Sequence, residues 1–212
     1  MKFATFALLA TSTSAFNNFF QKAAAPAPVV PTNTFTIDSL PGAIAPTGLF
    51  DPLGFAAKAD ANTLKRYREA EVTHGRVAML AAIGFLVGEK VEGSSFLFDA
   101  SIKGPAISHL AQVPTPFWLI LVAVIATAEK QRAQIGWVDP ADVPVDQPGL
   151  LKAEYYPGDI GFDPLGLKPD GEEEFKEMST KELQHGRLAM LATAGFMAQE
   201  LVDGKGILEH LS

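Results

Sequence analysis

Glutamate, histidine and arginine stand within six positions of one another twice in this chain, in EVTHGRVAML at 71–80 and in ELQHGRLAML at 182–191. Each cluster runs straight into apolar sequence. On a helix, residues three apart share a face, so Glu71 points with His74 and Glu182 with His185. Each arginine follows its own glutamate by five residues, about 140° around the helix, so its partner lies elsewhere. If these segments enter a membrane, each unpaired charge costs roughly 2.5–3.5 kcal/mol. Four of them cost about 10–14 kcal/mol, comparable with the stability of a whole domain. The copies can compensate one another, Glu71 with Arg187 and Glu182 with Arg76, as two reciprocal ion pairs between helices. Gly75, Ala78, Ala82 and Gly84, matched by Gly186, Ala189 and Gly195, supply small residues that let the helices approach.

Pairing accounts for the charges but not for His74 and His185. A neutral imidazole carries a nitrogen lone pair. Repeated three residues after a buried glutamate, it reads better as a ligand to a metal or metallo-macrocycle than as a core histidine bonded to a carbonyl. Glu-x-x-His on two helices is also the signature of di-iron carboxylate bundles, which take further glutamates from two more helices. This chain has one other long helix, and it offers one candidate, Glu129. The arginines would also neutralise carboxylates that a di-iron site needs.

Three long helices must position these residues, at about 61–91, 116–135 and 179–203. The first and third share 13 identities over the 23 positions that start at Glu71 and Glu182. Each is preceded by FDPLG, at 50–54 and 162–166, where Pro and Gly favour a turn. Ser179 or Thr180 is the expected N-cap of the third helix, with Glu182 close behind. The middle helix opens with Pro116 and lies between Pro- and Gly-rich flanks. Apolar runs of about a dozen residues fall short of the roughly 20 that span a bilayer, unless the Glu, His and Arg enter its outer layer. Two homologous helices separated by one span cross in the same direction. The expected fold class is therefore an all-α membrane protein with three transmembrane helices, the first and third crossed about a pseudo-twofold axis along the membrane normal.

Composition agrees. The chain is 48% hydrophobic and only 19% charged, a tilt that suits a small membrane protein with polar loops. A net charge of −7 with no Lys/Arg-rich run argues against nucleic acid. There are no cysteines, so neither disulfides nor thiolate metal sites carry the fold. MKFATFALLATSTSAF reads as a signal peptide, and no acidic residue precedes Asp38. The expected division is a targeting presequence over about residues 1–30 and one domain over 31–212. Beyond that presequence and the motif arginines, ten Lys and Arg lie on the side of the N-terminus and second loop. Three, Lys90, Lys103 and Lys205, lie on the other, so the first side is the one that retains positive charge.

At FDPLG, KELQHGRLAML and their first-half echoes, the chain resembles the light-harvesting chlorophyll-binding antenna family of thylakoid membranes, from about residue 45 to the end. VDGKGILEHL after the last helix adds to the likeness, and a histidine with Gly-Arg in both halves is similar to the red-lineage fucoxanthin–chlorophyll a/c proteins. TSAF at 13–16 is similar to their bipartite plastid signal. The resemblance implies that Glu71 and Glu182 each give a carboxylate oxygen to a chlorophyll magnesium, and that His74 and His185 ligate further chlorophylls. Glu129 matches a middle-helix carboxylate ligand balanced by Arg132, and Gln199 matches a glutamine ligand. His210 is a lesser candidate, because it aligns a few residues before the family's C-terminal histidine. Leu121 stands where a middle-helix glutamine ligand is usual, and His109 reads as a surface residue.

The implied cofactors are chlorophyll a, chlorophyll c and fucoxanthin or related xanthophylls. The implied partners are thylakoid lipids, other antenna subunits and a photosystem I or photosystem II core. The implied setting is the plastid thylakoid membrane, crossed several times with the N-terminus stromal. Such a protein harvests light and passes on excitation without catalysis. A stress-type member that dissipates energy as heat is the alternative, and a di-iron membrane enzyme the remoter one. On this reading Arg187→Leu, which strands Glu71, is expected to do far more damage than Arg132→Leu.

Overall fold

The computed structural model describes residues 36–37, 40–46, 48–92, 101–145 and 148–211, so the expected presequence lies outside the described residues. Five helices follow in chain order: α1 (Ala61–Val91), α2 (Ala106–Gln112), α3 (Thr115–Gly136), α4 (Glu172–Asp203) and α5 (Ile207–Leu211). Among the described residues there is no strand, only two isolated bridges, Ile44 to Gly48 and Trp137 to Leu151.

The long helices follow from local chemistry. No proline interrupts α1 or α4. In α3, proline sits in the first turn, where its missing N–H costs no helical bond. The start of α4 departs from the sequence expectation: its N-cap is Gly171, not Ser179 or Thr180, which lie inside the helix. Glu172, Glu173 and Glu174 fill the first turn, where carboxylates favour the helix dipole. Thr180 turns its hydroxyl back to the Lys176 carbonyl, as threonine does within helices. Gly204, at φ 64°, closes α4 in the left-handed region.

α1 and α4 pack together and meet most closely at two equivalent glycines. A Cβ on Gly75 would stand 3.0 Å from Gly186 Cα, and one on Gly186 2.9 Å from Gly75 Cα, with backbone on both sides. Ala78 and Ala189, one turn on, are buried in the same seam. The contact does not extend as far as the sequence suggested, since a Cβ on Gly84 or Gly195 would meet open space. Instead the equivalent rings of Phe85 and Phe196 approach to 6.0 Å there.

At the far end each helix caps the short helix that follows the other. Glu89 of α1 accepts the N–H groups of Ile207 and Leu208 at the start of α5, both at 2.7 Å. Glu200 of α4 accepts the Ile107 N–H at the start of α2, at 2.8 Å. The C-terminal ends of α1 and α4 therefore lie on one side. α3 packs along neither of them, and its bonds to α1 and to the following loop come from Arg132, Gln134 and Gly136 near its C-terminal end.

α1 is long and apolar enough to cross a membrane, and α2 with α3 passes the same test across a bend of 103°. The apolar flanks of the α1–α4 pair face outward: the equivalent Leu80 and Leu191 are 74% and 75% exposed. No large side chain is fully buried among the described residues. Apolar surface left open to this degree needs another covering.

Candidate functional site

The two motifs meet as reciprocal clasps. Arg76 Nε lies 2.7 Å from Glu182 Oε1, and Arg187 Nε lies 2.8 Å from Glu71 Oε1. Each guanidinium also donates to the carbonyl of a Pro-Gly turn: Arg187 Nη1 to Gly42 at 2.7 Å, and Arg76 Nη1 to Gly158 at 2.8 Å. These turns precede the opposite helices, so the turn before α1 grips α4 and the turn before α4 grips α1. Both glycines sit in the left-handed region, at φ 94° and 86°. A Cβ would come within 3.0 Å of Leu183 in the first turn and 2.8 Å of Val72 in the second, so glycine is needed for conformation and for space.

The turn N–H groups are held by equivalent residues of different chemistry. Gly158 donates to Glu69 Oε2 at 2.7 Å, while Gly42 donates to Thr180 Oγ1 at 3.2 Å. Glu69 is only 3% exposed. Its Oε2 also accepts the Tyr155 hydroxyl at 2.9 Å, and its Oε1 pairs with Arg132 Nη1 at 2.8 Å. Burial, and then the Glu69 charge, raise the Tyr155 hydroxyl well above its ordinary range, which keeps it a donor. Arg132 also holds Glu129 Oε2 through Nε at 3.0 Å and Nη2 at 2.7 Å, and its Cζ lies over the Trp137 ring, 5.0 Å from the centroid. Arg132 therefore ties α3 to α1 as well as balancing Glu129. The sequence expectation that Arg187→Leu does far more damage than Arg132→Leu took no account of Glu69, which Arg132→Leu would leave buried without this cation.

His74 and His185 sit alike on the outer face, both exposed. The His74 Nδ1 is 2.7 Å from the Ala70 carbonyl and the His185 Nδ1 is 2.8 Å from the Lys181 carbonyl. A carbonyl can only accept, so Nδ1 carries the hydrogen and Nε2 is the nitrogen left to act as a ligand. Glu182 uses Oε1 for Arg76 and has Oε2 without a hydrogen bond among the described residues. Glu71 differs, for its second oxygen takes Arg68 at 2.8 Å. Glu129 Oε1 has no hydrogen bond among the described residues, Gln199 is half-buried on α4, and His210 leans 3.3 Å from Asp203. The His109 ring bonds the Gly104 carbonyl and lies beside Gly88. These donors suit single axial ligation of a hard divalent ion that is already held by a macrocycle. Among the described residues no three His, Asp or Glu side chains converge as a cluster for a bare metal ion, so the di-iron arrangement is not formed.

The FDPLG loops are built alike. Asp51 accepts the N–H groups of Phe55, Ala56 and Ala57, and Asp163 those of Leu167 and Lys168. The Lys168 and Leu167 N–H bonds hold the Asp163 carboxyl below the usual aspartate range. At Asp51 desolvation opposes, but the same kind of bonds prevail. The second loop, with Tyr156, Arg68 and Arg76, lines a cavity of about 770 Å³ against both long helices.

Sequence reading missed the Pro-Gly turns, Glu69, Arg68 and the Glu89 and Glu200 caps. A signal existed: PGAI at 41–44 and PGDI at 157–160 are a further repeat. Their separation is 116 residues, against 112 for FDPLG and 111 for the helices, so a single offset hides them.

The sequence profile of the chlorophyll A-B binding protein family matches residues 36–201. The light-harvesting complex stress-related protein 3.2, chloroplastic, of Chlamydomonas reinhardtii is 50% identical over 190 residues, covering 88% of this chain and 72% of that one. The fucoxanthin-chlorophyll a-c binding protein, chloroplastic, of Isochrysis galbana is 49% identical over 167 residues, covering 78% and 77%. Chlorophyll a-b binding protein 7, chloroplastic, of Solanum lycopersicum is 31% identical over 186 residues, covering 82% and 63%.

Proposed function

The chain belongs to the chlorophyll A-B binding family, and from that premise we propose that it is a light-harvesting antenna subunit of the thylakoid membrane, holding chlorophyll a, chlorophyll c and fucoxanthin-type carotenoids. The observation that carries this reading is the pair of equivalent, exposed histidines with Nδ1 fixed and Nε2 left to act as a ligand. In this reading α1, α3 and α4 span the membrane. α1 and α4 cross it in the same direction about a pseudo-twofold axis, with the N-terminus stromal and residues 1–30 a removable presequence. The bound pigments supply absorption and excitation transfer.

The protein's part is placement. His74 and His185 offer imidazole nitrogen. Glu71, Glu182 and Glu129 offer carboxylate oxygen whose charge Arg187, Arg76 and Arg132 neutralise, and Gln199 offers an amide oxygen. The clasps fix the spacing and tilt of these donors, and no group turns over. The partners in this reading are lipids, other antenna subunits and a photosystem core. A second reading, energy dissipation under stress, is favoured by the 50% identity to a stress-related protein over most of the chain.

The test is an absorption spectrum of the protein purified from its native membrane, with pigment extraction, magnesium analysis and fluorescence lifetime. Bound chlorophylls with stoichiometric magnesium and a long lifetime are expected of an antenna. A lifetime shortened by acid supports dissipation, and a colourless folded protein overturns both.

A further inference from the structure

Glu129 stands on a helix that packs along no other, and its side chain is 52% exposed. An exposed pair between residues three apart is worth little and does not fix either side chain. Yet the Arg132 guanidinium has no freedom to swing. Its Nη1 is held by Glu69 Oε1 at 2.8 Å and by Thr73 Oγ1 at 3.2 Å, both on α1. Glu69 is fixed in turn by the Tyr155 hydroxyl and the Gly158 N–H on its other oxygen. A line of bonds thus runs from the 155–158 turn through Glu69 and Arg132 to Glu129 Oε2, and Glu129 Oε1 has no hydrogen bond among the described residues.

We propose that Glu69 is a positioning residue for pigment ligation by Glu129, acting through Arg132. The inference rests on the reading of Glu129 as an axial ligand to the magnesium of a chlorophyll. A carboxylate with one oxygen locked to a fixed arginine presents the other in a single direction, and its charge is already balanced. Glu69 sets that direction relative to the α1–α4 pair, and so places a ligand of the outlying helix. The equivalent position of the other half holds Thr180, which keeps the bond to its turn glycine but carries no charge to pair with an arginine.

The division of labour on Glu69 makes a selective test available. In Glu69→Gln, the amide oxygen can take the Oε2 place and keep the Tyr155 and Gly158 bonds, while the amide NH2 group opposes Arg132. Each variant is produced as the full chain in pigmented membranes, and its pigment content and difference absorption spectrum against wild type are recorded. Glu129→Ala defines the band of its own pigment. Glu69→Gln is expected to lose that band and one chlorophyll per chain, while keeping the other pigments. Tyr155→Phe, which loosens the turn but leaves Arg132 paired, is expected to melt earlier and keep the band. If Glu69→Gln fails to accumulate, Glu69→Thr, which copies the other half, is read by the same criteria. Retention of the band in the Glu69 variant overturns the proposal, as does a Glu129→Ala spectrum equal to wild type. A wild-type protein without chlorophyll would instead overturn the antenna reading on which it rests.

Discussion

The Arg187–Glu71 and Arg76–Glu182 clasps share their plan and differ in their neighbours. Both arginines bridge a glutamate of the opposite helix and a Pro-Gly carbonyl, at distances that agree within 0.1 Å. Arg68 stands beside Glu71 in the first, and Glu69 holds the turn glycine of the second; their equivalents in the other repeat are Ser179 and Thr180, and Thr180 holds the turn glycine of the first. Arg68 gives Glu71 a second cation, and Glu69 gives α3 an anchor. Reciprocity demands that the bonds across the seam match. Where only one half receives the middle helix, the residues are free to diverge, and there they do.

The comparison is broken most severely by removing its cations. Arg132→Leu is expected to cost about 3–5 kcal/mol, because it strands a buried carboxylate. Arg76→Leu should cost about 3 kcal/mol, since Glu182 then has no ion pair among the described residues. Arg187→Leu should cost roughly half as much, because Arg68 still reaches Glu71. Thermal melts of the three detergent-solubilised variants give the order, and Arg187→Leu as the most damaging would dissolve the distinction between the halves.

Thr180→Val sharpens the difference at the turns. It removes the acceptor of the Gly42 N–H and should lower stability by about 1–2 kcal/mol. Proteolysis should then begin near residue 42 rather than near 158, and equal cutting at both turns would contradict the assignment.

The smallest effect belongs to the FDPLG loops. Asp51 and Asp163 have carboxyls lowered in the folded state, so their contribution is complete above the ordinary aspartate value. It is lost only as pH falls through the lower, folded one. Mild acidification should leave both loops intact. Asp163→Asn should flatten the melting-temperature profile only in strong acid, and a change near neutral pH would count against these bonds.

The arginine clasps were legible because four charges in apolar sequence have few partners, and because the helices repeat at a constant offset. The glycine seam was legible only in part. Spacing lists Gly84 and Gly195 with Gly75 and Gly186, but it cannot say where two helices diverge, and here aromatic rings replace glycine above the first turn of contact. The cap of α4 was placed too late because Ser179 and Thr180 are good capping types, whereas the helix starts two turns earlier behind Gly171. Glu69 escaped notice because its partners, Arg132, Tyr155 and Gly158, come from distant segments of different length.

Each clasp takes its acid and its turn from one repeat and its base from the other. A chain carrying a single repeat would bear both parts on one surface and satisfy neither alone. Such a surface is complementary to itself, and two copies would associate as an isologous dimer. Joining the copies in one chain replaces that encounter with an intramolecular one, at an effective concentration set by the connecting segment. α3 lies within that connection, so the segment that tethers the two repeats is itself helical.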